Sequence, residues 1–179
     1  VAVASTLASW KMDTTTIIAG LLHDTVEDTE ATLDDIVKNF GNDLGNLVDG
    51  LTKISEISYS SRKEKQVGNF MKMLLSVAQD MRVIIIKFAD RLHNMETIQH
   101  MPRIKRHRIA VETRDIYVPL AHRLGMSTVK SQLEDLVLGV LNPSGFKEIE
   151  SKVKSSERQR EKFIKKVIEP VDEELNKYN

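Results

Sequence analysis

A histidine followed at once by an aspartate, with two more carboxylates close behind, is the densest chemistry in this sequence. His23, Asp24, Glu27 and Asp28 fall within six residues. At the end of a helix, the imidazole nitrogen of His23 and a carboxylate oxygen of Asp24 can meet on one divalent cation. Such a mixed nitrogen and oxygen set suits Mn²⁺, Fe²⁺ or Zn²⁺ better than Ca²⁺. Glu27 stands four residues after His23, and Asp28 four after Asp24. Helical continuation would carry both to the same side, as groups that position water or carry a proton. A solvated acidic turn after a helix has the same composition, and the pattern alone leaves both readings open.

Asp90 is the second unusual residue. It follows Val83-Ile84-Ile85-Ile86-Lys87-Phe88-Ala89 in the most apolar stretch of the chain, where a carboxylate is costly to bury unless it is paired or bound to metal. Asn94 at i+4 and Thr97 at i+7 share its helical face, with His93 near it. A carboxylate, a carboxamide and a hydroxyl in a row can address a cation, a phosphate and a base or sugar. The alternative is a polar pairing of Asp90 with Arg91 or His93 at a helix–helix seam. Arg103, Arg106 and His107 form a basic cluster at helical spacing, able to meet phosphate oxygens or simply to face solvent. His122 reads as a packing or hydrogen-bonding group, His100 as a surface residue, and Trp10 as a core or hinge anchor.

The elements that must position these groups are helical almost throughout. Val1, Val3, Ala4, Leu7 and Ala8 read as the last turns of a helix that begins upstream. Asp13 caps a helix over 14–23, and the acidic stretch 25–31 is a short connection or a single turn. Thr32 opens a helix with Asp34 and Asp35 in its first turn, and Gly41 ends it. A further helix covers 44–54, and the Ser-rich segment 55–61 is a loop. The pattern predicts an amphipathic helix over 62–78 and, capped by Asp80, the central helix over 81–100. Pro102 suits the start of a helix over 103–124, which Gly125 stops. Another covers 128–141, ahead of Asn142-Pro143. From 146 to 178 a charge-rich stretch with a sparse apolar stripe reads as a long helix interrupted near Pro170. No alternation of strand type and no internal repeat appears, so the expected class is all-α.

Composition narrows the function classes. Lys plus Arg is 26 and Asp plus Glu is 26 in 179 residues, a net charge of 0, which argues against wholesale nucleic-acid binding. With no cysteine there is no disulfide scaffold, no thiolate zinc site and no Cys nucleophile, as suits a reducing compartment such as the cytoplasm. No apolar run is long enough to span a bilayer, and no signal peptide is present, so no membrane partner is expected.

Taken together, His23-Asp24-Thr25-Val26-Glu27-Asp28-Thr29 and Lys87-Phe88-Ala89-Asp90-Arg91-Leu92-His93-Asn94-Met95 resemble the hydrolase domain of the RelA/SpoT homologue family. The resemblance extends through Val48-Asp49-Gly50-Leu51-Thr52-Lys53, Asn69-Phe70 with Lys72-Met73, Glu112-Thr113, and Ile116-Tyr117-Val118-Pro119-Leu120-Ala121-His122-Arg123-Leu124-Gly125. It implies an HD-type helical bundle over 1–142 that removes the 3′-diphosphate of guanosine tetra- or pentaphosphate, giving pyrophosphate and GDP or GTP. A charged connector helix over 143–179 would lead toward the synthetase and regulatory domains of the same protein. The implied cofactor is one Mn²⁺, with His23, Asp24 and Asp90 as ligands. Glu27 and Asp28 match the acidic pair needed for hydrolysis, and Asn94 and Thr97 match positions lining the nucleotide pocket. The family's remaining ligand, a His in a His-Pro pair, falls just upstream of the position of Val1, so these 179 residues are expected to hold the metal weakly or not at all. Gly68, Met71 and Glu96 depart from the residues common in the family. The competing classes are a non-catalytic nucleotide-binding or regulatory domain, and an HD-type phosphohydrolase of another nucleotide.

Overall fold

The computed structural model describes residues 1–55 and 80–175, and among these every regular element is helical. The segments expected over 55–61 and 62–78 lie outside the described residues, as do Gly68, Met71 and the 69–73 motif, apart from Ser55. Residues Val1–Val137 form one compact unit and Leu138–Asn179 a second.

In the first unit, α1 (Ala2–Ser9) and α2 (Thr14–Leu22) pack as a close pair. Asp13 caps α2, its carboxylate accepting from the Thr16 N–H at 3.0 Å. Gly20 permits the approach: a Cβ there would run into Cδ1 of Leu7, a fully buried side chain. α3 (Thr25–Asp28) is the single turn that the acidic stretch allowed for. α4 (Leu33–Phe40) begins in a capping box in which Thr32 and Asp35 satisfy each other's backbone N–H groups, and it ends at Gly41, φ 90°. α5 spans Asn42–Ser55.

α6 (Met81–Glu96) is the central helix that its composition predicts. It packs on α1, α2 and α5, and buries Val83, Ile84, Ile86, Phe88, Ala89, Leu92 and Met95. Its start is tied to α5 by Arg82, whose guanidinium meets Asp43 at 2.8 Å and Asp80 at 2.7 Å. Those hydrogen bonds hold the Asp80 and Asp43 carboxyls below the usual range, against the opposing effect of partial burial. An unfolded chain therefore binds protons there at higher pH than the folded one does. Stability is fully present above the ordinary Asp pKa of about 3.9 and falls as pH drops through the lower folded values. Thermal unfolding followed from about pH 5 downward should show this loss, and Asp80→Asn should flatten it.

One expected helix is shorter than predicted, and another keeps its bounds but changes its winding part-way. The helix expected over 81–100 ends at Glu96, where Thr97 turns its hydroxyl back to the His93 carbonyl at 2.9 Å and the chain tightens into a 3₁₀ turn, Ile98–His100. The helix expected over 103–124 is α7 (Arg103–Glu112), a π-turn (Thr113–Tyr117) and α8 (Val118–Arg123). Pro119 explains the break: it has no N–H to donate, and in a regular α-helix its ring would collide with the carbonyl four residues back. The wider turn avoids that clash, with the Val118 N–H bonding to the Thr113 carbonyl instead. Gly125, φ 73°, ends the segment.

α9 (Ser127–Leu141) carries the chain from the first unit into the second. There α10 (Pro143–Leu175) runs as one helix through Pro170, correcting the expected interruption. One missing backbone hydrogen bond near the end of 33 residues is small beside the bonds that remain. Lys152–Glu148 and Lys154–Glu150 pairs line it, while Ile149, Val153, Phe163, Ile164 and Ile168 stay exposed. No helix among the described residues is long and apolar enough to cross a membrane.

Candidate active site

His23 caps the C-terminus of α2, three residues beyond the Gly20 close approach. Its Nδ1 lies 3.0 Å from the Gly20 carbonyl oxygen. A carbonyl only accepts, so Nδ1 carries the hydrogen and Nε2 is the free nitrogen. Nε2 faces two carboxylates, Asp24 Oδ2 at 2.9 Å and Asp90 Oδ1 at 3.6 Å. Asp24 sits at the break between α2 and α3 with φ −105° and ψ 1°, the sparsely populated bridge region that suits a residue turned toward a site. Asp90 comes from the middle of α6. Two segments more than sixty residues apart thus place a histidine nitrogen between two acids.

The electrostatics follow from this contact. The carboxylate of Asp90 holds the His23 pKa above the ordinary imidazole value; burial opposes it and Asp24 adds to it. Burial pushes the Asp24 carboxyl up, which His23 partly offsets. Burial also works to raise Asp90, but His23 and then the charge of Lys87 outweigh it and leave the carboxyl below the usual range. A lone pair aimed at two carboxylates is repelled unless something positive lies between them. A proton can fill that place, and a divalent cation fits the same donor chemistry with one imidazole and two carboxylates. Among the described residues no group of three His, Cys, Asp or Glu side chains is already drawn into a metal-holding arrangement.

The remaining predicted residues divide. Asn94 stands one turn along α6 and donates from Nδ2 to Asp90 Oδ1 at 2.8 Å, so the expected shared face of Asp90 and Asn94 is present. Thr97 lies past the helix end, its hydroxyl committed to the His93 carbonyl. Glu27 and Asp28 are exposed on α3. The Asp28 N–H donates to the Asp24 carbonyl at 2.8 Å, which keeps that pair one turn apart, and the Asp28 charge reaches Asp24. The helix break at Asp24 separates Glu27 from the α2 face that carries His23. Neither neighbour considered as a partner for Asp90 takes that role by hydrogen bond: Arg91 turns instead to Tyr117 and Glu112. His122 is exposed, which corrects its expected packing role, while Trp10 packs against the core as expected. Lys87, buried and acting on both Asp24 and Asp90, was not singled out from the sequence; a lysine in an apolar run three residues before the acid was the available signal.

Residues 1–127 match the HD domain family. The chain belongs to that family. The chain is 46% identical to a GTP pyrophosphokinase of Myxococcus xanthus, over 97% of its own length and 23% of that protein. It is 43% identical to the bifunctional (p)ppGpp synthase/hydrolase SpoT of Escherichia coli K12, over 98% of this chain and 25% of the relative. A guanosine-3′,5′-bis(diphosphate) 3′-pyrophosphohydrolase of Aquifex aeolicus is 44% identical, over 98% and 25%. The chain thus spans about a quarter of the length of the curated relatives it matches, and they bear out the RelA/SpoT-type resemblance of its motifs. HD-domain hydrolases are generally metal-dependent.

Proposed function

We propose that this HD domain hydrolyses the 3′-diphosphate of guanosine tetra- or pentaphosphate, with Mn²⁺ as its cation. The observation that carries the reading is the convergence on His23 Nε2 of Asp24 at 2.9 Å and Asp90 at 3.6 Å, with Nδ1 fixed by Gly20. The names of the relatives supply the substrate. His23, Asp24 and Asp90 would hold the ion, which supplies acidification of water and neutralisation of phosphate charge. Asn94 anchors Asp90 through one amide hydrogen and keeps its other donor and its carbonyl for the nucleotide. In the reaction an oxygen of water bonds to the phosphorus nearest the ribose and the bond to the 3′-oxygen breaks. Glu27 and Asp28, exposed beside Asp24, take the proton from water and return one to the leaving 3′-oxygen. Pyrophosphate and GDP or GTP result. α10 is the connector toward the synthetase and regulatory parts of a longer RelA/SpoT-type protein, whose site of action is the cytoplasm.

The test is release of pyrophosphate from guanosine tetraphosphate with Mn²⁺, on the chain extended upstream to the family's His-Pro pair. Release that stops on chelation of the metal is the expected result. Release of monophosphate would identify a different HD-type phosphohydrolase. Nucleotide binding by calorimetry without metal, and without turnover, would identify a regulatory module.

A further inference from the structure

Arg91 follows Asp90 on α6 yet makes its contacts with another part of the fold. Its terminal nitrogen donates to the Tyr117 hydroxyl at 3.0 Å and stands 3.4 Å from Glu112 Oε1. The guanidinium carbon lies 4.1 Å from the centre of the Tyr117 ring, a cation–π contact. Tyr117 in turn meets Phe88 edge to face, ring centres 6.2 Å apart.

The π-turn is what makes this grip possible. Glu112 and Tyr117 are five residues apart, which in an α-helix of 3.6 residues per turn leaves them about 140° out of phase. Only one of them would then face α6. The π-turn bonds i to i+5, so its two ends fall one above the other. Acid and phenol both reach one guanidinium as a result. Arg91 Nε is buried with no hydrogen-bond partner among the described residues. The arrangement fixes the direction of the side chain from Glu112 and Tyr117.

We infer that Arg91, clamped by Glu112 and Tyr117 across the π-turn, is a positioning residue that sets Asp90 against His23. Clamping residue 91 fixes the rotation of α6 about its axis, and a rotation of α6 moves the Asp90 carboxylate along the His23 ring. The inference rests on Asp90 serving as a cation ligand, as proposed above.

Two variants test it on the 179-residue chain. Tyr117→Phe removes only the hydroxyl and keeps the ring against Phe88 and Arg91. Arg91→Lys keeps the charge and loses the fork. Each should weaken Mn²⁺ binding, followed by the signal of free Mn²⁺ in electron paramagnetic resonance, by about 10-fold. Each should also move the ¹⁵N signals of the His23 ring at fixed pH without metal, while those of exposed His100 and His107 stay in place. Unmoved His23 signals with unchanged Mn²⁺ affinity would overturn the inference, even if thermal stability fell. If the 179-residue parent takes up too little Mn²⁺ to measure, as the upstream position of the His-Pro ligand allows, the metal-free His23 signals decide whether Arg91 places Asp90. Tyr117→Phe carries the test if Arg91→Lys does not fold.

Discussion

In the chain extended upstream to the His-Pro pair, replacing Glu27 by Gln and Asp28 by Asn together should abolish pyrophosphate release and leave Mn²⁺ bound. Both side chains are exposed on the one-turn α3, whereas the imidazole that would hold the ion faces Asp24 and Asp90. The backbone tie from the Asp28 N–H to the Asp24 carbonyl does not depend on the side chain, so Asp24 keeps its place. The charge of Asp28 helps push the Asp24 carboxyl up, and its removal makes Asp24 easier to ionise. That gain opposes the loss of two negative charges from the field at the ion, and affinity should change little. Turnover loses both groups able to move the proton, a contribution worth about 10²- to 10⁴-fold. Single-turnover assays with Mn²⁺ in excess measure the first effect, and equilibrium dialysis of Mn²⁺ measures the second. Loss of the ion from the double variant would show that these carboxylates are ligands instead.

The local elements were legible because their signals are local. Asp13, Thr32, Gly41, Asp80 and Gly125 each act within one turn, and each stands where the caps and stops were expected. The apolar run before Asp90 marked α6 as central for the same kind of reason: a helix buried on most of its faces must be apolar on most of them. The early end of α6 and the π-turn after α7 have different causes. Thr97 competes for a backbone carbonyl with its own side chain, and helical periodicity carries no trace of that. Pro119 was visible, but its consequence, a π-turn in place of a stop, depends on α7 and α8 both finding partners on either side of it.

Within the site, the His23–Asp24 pair and the Asp90–Asn94 row were legible as separate motifs, since spacing along one helix fixes a shared face. Their meeting was not a matter of spacing: it required α2 to lie against α1 and α6 at the depth that Gly20 permits. The resemblance to a family joined the two motifs, and packing supplies the physical reason. Arg91 was weighed only as a partner for Asp90. Its true partners, Glu112 and Tyr117, could not be read from helical periodicity, because an α-helix would put them on different faces.

Phe88→Ala should be the most damaging single change to the fold. The ring is fully buried, among the largest such side chains in the first unit, and stands two residues before Asp90 on the central helix. Truncation removes the apolar contacts of the ring and leaves a cavity that a helix packed on three others cannot collapse to fill, at a cost of about 3–5 kcal/mol. Against a total stability of about 5–15 kcal/mol for a domain of ordinary size, that is a large fraction. The damage should also reach the site, because Tyr117 loses its edge-to-face partner and is the residue that holds Arg91. Phe88→Leu, which keeps most of the volume, should cost less than about 1.5 kcal/mol. Urea unfolding of both variants gives the comparison, with the His23 ring ¹⁵N signals as a local readout. A Phe88→Ala loss below about 1 kcal/mol would mean that neighbouring side chains close the space, and the rigidity assigned to the Phe88–Tyr117–Arg91 chain would then be wrong.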